Sequence, residues 1–118
     1  MEHLIDPWQC LKRLKEYLKP GGSVIASIPN VNPWRVLKDF ILYDKWEYVT
    51  AGTLDRTHLR FFTNKSIKAM FEECGYRIVH RARVSTLRIW VKALNIASLG
   101  MLKRFLTYQF LVVARKSL

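Results

Sequence analysis

Apolar residues recur along this chain with two different periods, and the changes of period divide it into helices and strands. Over about residues 7 to 19 they recur every three or four positions opposite charged residues, which predicts an amphipathic helix. Asp6 is placed to cap this helix, and Pro7 suits its first turn. Residues 24–28 form a continuous apolar run, which is typical of a strand covered on both faces.

The turn between this helix and this strand is the centre of the pattern. Pro20 cannot continue a helix, and Gly21 and Gly22 accept positive backbone angles without a steric penalty. A buried strand that follows a helix is typical of α/β folds, whose ligands bind beyond the carboxyl ends of the strands. That end carries Asn30 and Asn32, which we therefore consider candidate substrate-binding residues. Capping and turn formation explain the two asparagines equally well.

Two further helices and a long loop follow. Asn32 and Pro33 repeat the pattern of a cap followed by a proline, and the apolar spacing after them predicts a helix that ends near residues 43–44. A third helix, about eleven residues long, follows a cap at Thr63. Between the two helices the period disappears over residues 45–62, and a loop of this length in a compact domain is usually functional or mobile.

The last third of the chain predicts a strand, a helical segment and another strand. Residues 76–84 alternate, with arginines on one face as in many edge strands and His80 on the apolar face, where we interpret it as a core residue. Residues 87–105 carry an apolar stripe at helical spacing, which Gly100 divides in two. Residues 108–114 are apolar almost throughout and predict a buried interior strand.

The difference between the last two strands predicts their order in the sheet. The final strand is more apolar than the one before it, so we expect it to lie between the other two strands. The first strand then keeps an uncovered edge, which invites pairing with another chain. Self-association through this edge is therefore one expectation.

The composition fits one domain over residues 1–118 with a single core, since half of the residues are apolar. The formal net charge of +11 suits an anionic partner, and solvated basic faces explain it as well. Nucleic acid is disfavoured because the aromatic residues follow core-like stripes and do not form a basic strand face. The basic stretch over residues 88–104 leaves peripheral contact with an anionic membrane as an alternative to packing on the sheet.

Cysteine usage and the N-terminal residues indicate a cytoplasmic protein. Cys10 and Cys74 both fall within predicted helices without metal-ligand spacing, so we interpret them as reduced core thiols. The first residues lack the basic start and long apolar run of a secretion signal. No segment reaches the roughly 20 apolar residues of a membrane span.

Several segments, in this order and spacing, resemble the class I S-adenosylmethionine-dependent methyltransferases, in particular the branch called methyltransferase type 11 or 12, which is related to ubiquinone-biosynthesis O-methyltransferases. Residues 2–7 look like the segment that leaves the family's fourth strand. Residues 18–22 look like the turn into its fifth strand, and residues 28–30 look like the end of that strand. Residues 55–63 look like a segment on the substrate side, residues 73–76 look like the junction before the sixth strand, and residues 109–116 look like the seventh strand.

The resemblance covers nearly all of this chain but only about the second half of a family member. It implies an α/β, partial Rossmann-like methyltransferase fold with a mixed three-stranded sheet in the order 5-7-6 of the family, the last strand antiparallel and helices on the flanks. The family's glycine-rich loop after its first strand, and the acidic residue after its second, have no counterpart in these residues. S-adenosylmethionine is therefore the implied cofactor, and we expect this chain alone to bind it poorly and to be inactive.

The candidate catalytic residues lie in the long loop: His58 as the general base, with Arg56 and Arg60 on either side of it. Methyl transfer needs an aligned acceptor and often a base, and a histidine can take a proton near neutral pH. An anchoring hydrogen bond within the loop is the alternative role of His58. By resemblance, Glu2 and His3 follow the fourth strand at the cleft, where they lie near the methionine part of the cofactor.

Two aromatic residues of the same loop, Trp46 and Tyr48, are candidates for a lid over the substrate, although loop aromatics more often pack the loop down. The three histidines, His3, His58 and His80, do not have the spacing of a metal signature, and we predict no metal site.

Three hypotheses about function follow. The first is the substrate-side portion of a methyltransferase that acts on a small or lipid-linked acceptor, with an oxygen atom as the expected target. The second is a non-catalytic basic binding module for nucleic acid or an anionic membrane. The third is an inactive fragment that self-associates.

Overall fold

The helices begin and end where local capping and turn chemistry place them. The computed structural model describes residues 1–85, 93 and 95–117 of the chain. The helices are α1 (Pro7–Tyr17), α2 (Trp34–Tyr43) and α3 (Asn64–Glu73), the strands are β1 (Ser23–Pro29), β2 (Tyr76–Ser85) and β3 (Thr107–Lys116), and a 3₁₀ turn spans Met101–Arg104. Within the described residues, no helix is both long enough and apolar enough to cross a membrane.

Two of the predicted helix starts are confirmed in detail. The Asp6 carboxylate accepts a hydrogen bond from the backbone N–H of Gln9 at 2.8 Å. Thr63 and Ser66 form a capping box, in which each side chain accepts from the backbone N–H of the other. The start of α2 differs from the prediction, because Pro33 itself occupies the cap position and no side chain caps the helix.

The three strands form one sheet in the order β1-β3-β2, and both pairings are antiparallel. Ile28 is paired with Phe110 in one ladder, and Ile78 with Ala114 in the other. The last strand therefore lies between the other two, as its apolar composition predicts. The helices flank this sheet, so the predicted partial methyltransferase fold is confirmed. The outer edge of β1 pairs with no strand of the part of the chain that the structure describes.

The core lies between one face of the sheet and the helices α1 and α3. Phe71 of α3 and Leu11 of α1 are fully buried. They pack with Tyr76, Phe110 and the buried residues of β1 in a single cluster. The Tyr76 hydroxyl donates a hydrogen bond of 2.8 Å to the backbone carbonyl of Leu11, which ties β2 to α1. Burial raises the pKa of this phenol.

The prediction that β1 is covered on both faces is wrong. Its residues alternate between the core and the opposite face, with Ala26 and Ile28 buried and Ile25 69% exposed. In a strand, successive side chains point to opposite faces, so an apolar run does not show whether a second layer is present. The helix α2 differs in a similar way, because it is apolar yet has no fully buried residue.

The interpretation of His80 as a core residue is also wrong, because a β-bulge interrupts the alternation of β2. The register shifts at Val79, between the pair Ile78–Ala114 and the pair His80–Val113. An extra residue in one strand turns the following side chains to the other face. His80 is consequently exposed, and Arg81 lies opposite the buried Val112.

Part of the predicted helical stripe over residues 87–105, namely residues 87–92 and 94, lies outside the described residues. Its predicted break at Gly100 is confirmed. Gly100 has a φ of +79° and precedes the 3₁₀ turn Met101–Arg104.

The two thiols are expected to differ in reactivity. Cys74 is 4% exposed and burial raises the pKa of its thiol, whereas Cys10 is partly exposed. Because the thiolate is the reactive form, iodoacetamide should label Cys10 before Cys74, as followed by peptide mass spectrometry. Equal labelling of the two in the folded chain would contradict this packing, and labelling in denaturant serves as the control.

Candidate functional site

A cavity of about 680 Å³ lies at the carboxyl end of β1. Its wall combines the end of β1, the start of β3, one side of α2 and part of the long loop. Among its lining residues are Pro29, Arg35, Asp39, Tyr108, Gln109, Glu2, Thr53 and His58. The position agrees with the general rule that ligands of open α/β sheets bind beyond the carboxyl ends of the strands.

The long loop is held against the N-terminal segment by backbone hydrogen bonds. The backbone carbonyl of Glu2 accepts from the N–H groups of Leu59, at 2.7 Å, and Arg60, at 3.1 Å. The Arg60 guanidinium donates to the carbonyl of Ile5 through Nε at 3.1 Å and Nη2 at 2.6 Å. Arg60, a predicted catalytic residue, therefore anchors the loop in this structure.

A turn at Asp55 orders the loop just before His58. The Asp55 carboxylate accepts from both the hydroxyl, at 2.7 Å, and the backbone N–H, at 2.8 Å, of Thr57. These hydrogen bonds lower the pKa of Asp55. Arg56, which lies inside this turn, is exposed and does not line the cavity.

Two histidines and one carboxylate meet where the loop and the N-terminal segment come together. The rings of His3 and His58 are 4.8 Å apart between centroids, in an edge-to-face arrangement. The nearest ligand-type atoms of Glu2, His3 and His58 all lie within 4.8 Å of one another. The structure thus brings the predicted cofactor-side residues next to the predicted base. We refer to these three residues as the Glu2–His3–His58 cluster.

In both imidazoles, Nδ1 forms a hydrogen bond with a backbone carbonyl oxygen. Nδ1 of His3 lies 3.1 Å from the carbonyl oxygen of Thr57, and Nδ1 of His58 lies 3.0 Å from that of Thr53. A carbonyl oxygen only accepts, so Nδ1 carries the proton in both neutral rings. Nε2 of each ring therefore keeps its lone pair. His58 therefore forms the anchoring hydrogen bond considered above through Nδ1, and its Nε2 stays available.

The carboxylate of Glu2 is partly withdrawn from solvent. Burial raises its pKa, but hydrogen bonds and the charges of the Met1 α-amino group and His3 outweigh burial, and the net result is a lowered pKa. Its Oε2 lies 3.1 Å from the Met1 nitrogen, and its Oε1 lies 3.7 Å from Nε2 of His3. Glu2 is therefore an anion at neutral pH, directed at the imidazole pair.

Asn30 lies at the predicted end of the strand, but its side chain forms hydrogen bonds with backbone groups of this chain. It is 1% exposed, and its side-chain N–H₂ donates to the carbonyls of Thr107, at 2.7 Å, and Arg104, at 3.0 Å. Its side-chain oxygen accepts from the backbone N–H of Asn32 at 3.2 Å. The turn-forming alternative therefore describes Asn30, while the half-buried Asn32 is not among the lining residues of the cavity.

The two predicted lid residues belong to an aromatic cluster beside the cavity. Trp46 packs edge-to-face on Phe40 of α2, at 5.8 Å, and on Phe61, at 5.9 Å. Tyr48 lies 6.5 Å from the same Phe61. Neither residue lines the cavity itself, so in this structure they pack the loop against α2.

The grouping of Glu2 with the histidine pair was not predicted, because its members come from two segments far apart in the sequence. Their spacing resembles no known ligand motif, and the two segments meet only through the hydrogen bonds of the loop. Four charged residues on the cavity wall, from α2 and the loop, were also missed: Arg35, Asp39, Lys45 and Glu47. They lie in segments without any motif.

Comparison with known proteins places the chain in a family. A family model described as "Methyltransferase domain" matches residues 1–81. No curated protein matches the sequence significantly. Among solved structures, a SAM-dependent methyltransferase from Archaeoglobus fulgidus is similar, with a TM-score of 0.57 and 18% identity over 98% of this chain. The chain corresponds to 55% of that protein, so it spans about half of its length. The match to more than half of the sequence, together with this fold, shows that the chain belongs to the methyltransferase domain family and has the fold of the class I S-adenosylmethionine-dependent enzymes.

Proposed function

We propose that this chain is the substrate-side portion of an enzyme that transfers a methyl group from S-adenosylmethionine to an oxygen atom of a small or lipid-linked acceptor. The observation that supports this most is the position of His58. It lies on the wall of the cavity at the carboxyl end of β1, next to the carboxylate of Glu2. A proton acceptor in a cavity of this size is what methylation of a hydroxyl group needs.

The residues present fit one end of the cofactor. When bound, S-adenosylmethionine supplies a methyl group on a sulfonium centre, and its amino-acid end carries an ammonium group. The ionised and partly buried Glu2 suits a cationic group, because an anion in a poorly hydrated site attracts charge strongly. The rest of the cofactor would rely on the glycine-rich loop and the acidic residue, which are not among these residues. We therefore expect weak cofactor binding by this chain alone.

The chemistry that we assign to the chain is acid–base chemistry. Nδ1 of His58 donates to the carbonyl of Thr53, so Nε2 is the nitrogen that accepts the proton of the acceptor hydroxyl. The carboxylate of Glu2 would stabilise the imidazolium that results, as an opposite charge does at short distance. Arg60 acts indirectly, because its guanidinium anchors the loop that positions His58.

The surface next to the cavity supports an apolar or lipid-linked acceptor. The helix α2 contributes Arg35 and Asp39 to the cavity wall, while Ile41, Leu42 and Tyr43 at its end are each about two-thirds exposed or more. Exposed apolar side chains grouped in this way mark contact surfaces for apolar partners. The two free cysteines agree with a reaction in the cytoplasm, where thiols stay reduced.

The test is transfer of a tritiated methyl group from S-adenosylmethionine to phenolic and quinol acceptors. The chain is assayed alone and together with a polypeptide that carries the glycine-rich cofactor half of the fold. Transfer is expected only with both, and His58→Gln should lower kcat by about 100-fold or more, as expected for loss of a general base.

His80→Gln is the matched control, since His80 is exposed on β2 and does not line the cavity. Its rate should equal that of the wild type. Undiminished transfer by His58→Gln would refute this assignment.

A further inference from the structure

We propose that the Glu2–His3–His58 cluster binds a divalent first-row transition metal ion. Zn²⁺ is the ion whose geometry we compare and whose binding the test measures. Two imidazoles and one carboxylate form a ligand set that proteins use for Zn²⁺ and for non-haem Fe²⁺. Mg²⁺ and Ca²⁺ prefer oxygen ligands only, so this set does not suit them. The proposal concerns binding by this chain, and it does not depend on the proposed methyl transfer.

The spacing of the ligand atoms is close to that of a bound site. All three lie within 4.8 Å of one another, and Oε1 of Glu2 is 3.7 Å from Nε2 of His3. Two ligands at about 2.1 Å from one tetrahedral ion are about 3.4 Å apart. Side-chain rotations that bring the ligand atoms closer by up to about 1.4 Å would close the difference. The His3 side chain is 55% exposed and therefore has room to rotate.

Both imidazoles are oriented as metal ligands usually are. A histidine ligand almost always donates its other ring N–H to a carbonyl or carboxylate, which fixes the tautomer and the direction of the lone pair. His3 and His58 each have Nδ1 at a backbone carbonyl oxygen, of Thr57 and Thr53 respectively. The two rings thus share one tautomer, with Nε2 available to an ion. A histidine pair held only by packing would not need this matched arrangement.

The backbone around the cluster is held in place before any ion arrives. The two hydrogen bonds that Leu59 and Arg60 donate to the carbonyl of Glu2 join the segment of Glu2 and His3 to that of His58. Within the carboxylate, Oε2 pairs with the Met1 α-amino group at 3.1 Å, while Oε1 faces Nε2 of His3 at 3.7 Å. Oε1 is therefore the carboxylate oxygen that is placed to bind an ion together with the imidazoles.

The cluster borders the cavity, since Glu2 and His58 are both part of its wall. Three protein ligands leave a coordination position for another oxygen atom, as in catalytic zinc sites. Nε2 of His58 cannot bind an ion and accept a proton at the same time, so with an ion bound His58 is a ligand and not the base.

The test measures binding of Co²⁺ and Zn²⁺ to the untagged 118-residue chain after removal of metal with EDTA. Calorimetry should show one Zn²⁺ per chain. Co²⁺ should give a visible d–d spectrum without the thiolate charge-transfer band that cysteine ligands produce. Nε2 of His3 and His58 should shift in ¹⁵N spectra when Zn²⁺ is added. His3→Ala and His58→Ala should each weaken binding at least 10-fold, and Glu2→Gln should act in the same direction.

His80→Ala is the matched control, because it removes an exposed imidazole from the same chain and should leave the affinity unchanged. Circular dichroism of each variant separates loss of the site from loss of the fold. The proposal is refuted by absence of saturable binding, by a thiolate band, or by equal effects of His80→Ala and His58→Ala. Neither cofactor nor acceptor is present, so failure here leaves the proposed methyl transfer standing, and failure of methyl transfer leaves the metal site standing.

Discussion

Replacing Asn30 by aspartate is expected to lower the free energy of unfolding by at least about 3 kcal/mol, which is the scale of an uncompensated charge or unpaired group in the interior. The side-chain N–H₂ of Asn30 donates to two carbonyl oxygens, at 2.7 and 3.0 Å, and the residue is 1% exposed. A carboxylate has no donor, so an oxygen would face both carbonyls. These carbonyls belong to Arg104 and Thr107, and the entry of the chain into β3 would lose its support.

Urea denaturation followed by circular dichroism measures this change. Asn32→Asp is the matched control, because it makes the same chemical change two residues later at a half-buried position. We expect it to cost less than about 1 kcal/mol, as substitutions outside the core usually do. Similar losses in the two variants would show that the hydrogen bonds of Asn30 are not what holds this end of the sheet.

Phe71→Ala is expected to lower the free energy of unfolding by about 3 to 5 kcal/mol, the usual cost of deleting a buried aromatic ring. Phe71 is fully buried in α3 and packs edge-to-face on Tyr76 with 6.0 Å between ring centroids. The ring lies at the contact of α3 with the sheet. Its removal leaves a cavity that the surrounding residues fill only in part.

The matched control is Phe40→Ala, the same truncation in the helix α2. Phe40 is 49% exposed, so its loss should cost within about 1 kcal/mol. Chemical denaturation of both variants gives the comparison. Equal costs would mean that α2 is as well buried as α3, against the exposure of its apolar residues described above.

The helices and the order of the strands could be predicted because local chemistry determines them. Asp6 and Thr63 are capping residues wherever a helix can follow, and both cap in the structure. The position of β3 followed from a contrast in composition, because a strand without polar alternation suits the middle of a sheet better than its edge. These predictions needed no knowledge of contacts between distant residues.

The other features depend on long-range contacts or on single irregularities. One extra residue at Val79 turns His80 away from the core. No residue type in β2 predicts a bulge at this position. The sequence alone does not distinguish an exposed isoleucine such as Ile25 from a buried one such as Ile28. Of the candidate site, the residue types were identified, but the meeting of His3 with His58 depends on the path of the long loop. Such a path is set by hydrogen bonds between segments and not by periodicity.

The central place of β3 also has a consequence for how the protein is made. Within the described residues, β1 and β2 pair with β3 and not with each other, and β3 is the last of the three to be synthesised. Among the described strands, neither earlier strand can form its pairing with β3 until residues 107–116 have left the ribosome. During translation these two strand edges therefore stay uncovered by β3, and this part of the sheet assembles only after late synthesis. Chaperone binding to nascent chains should accordingly persist until this segment emerges.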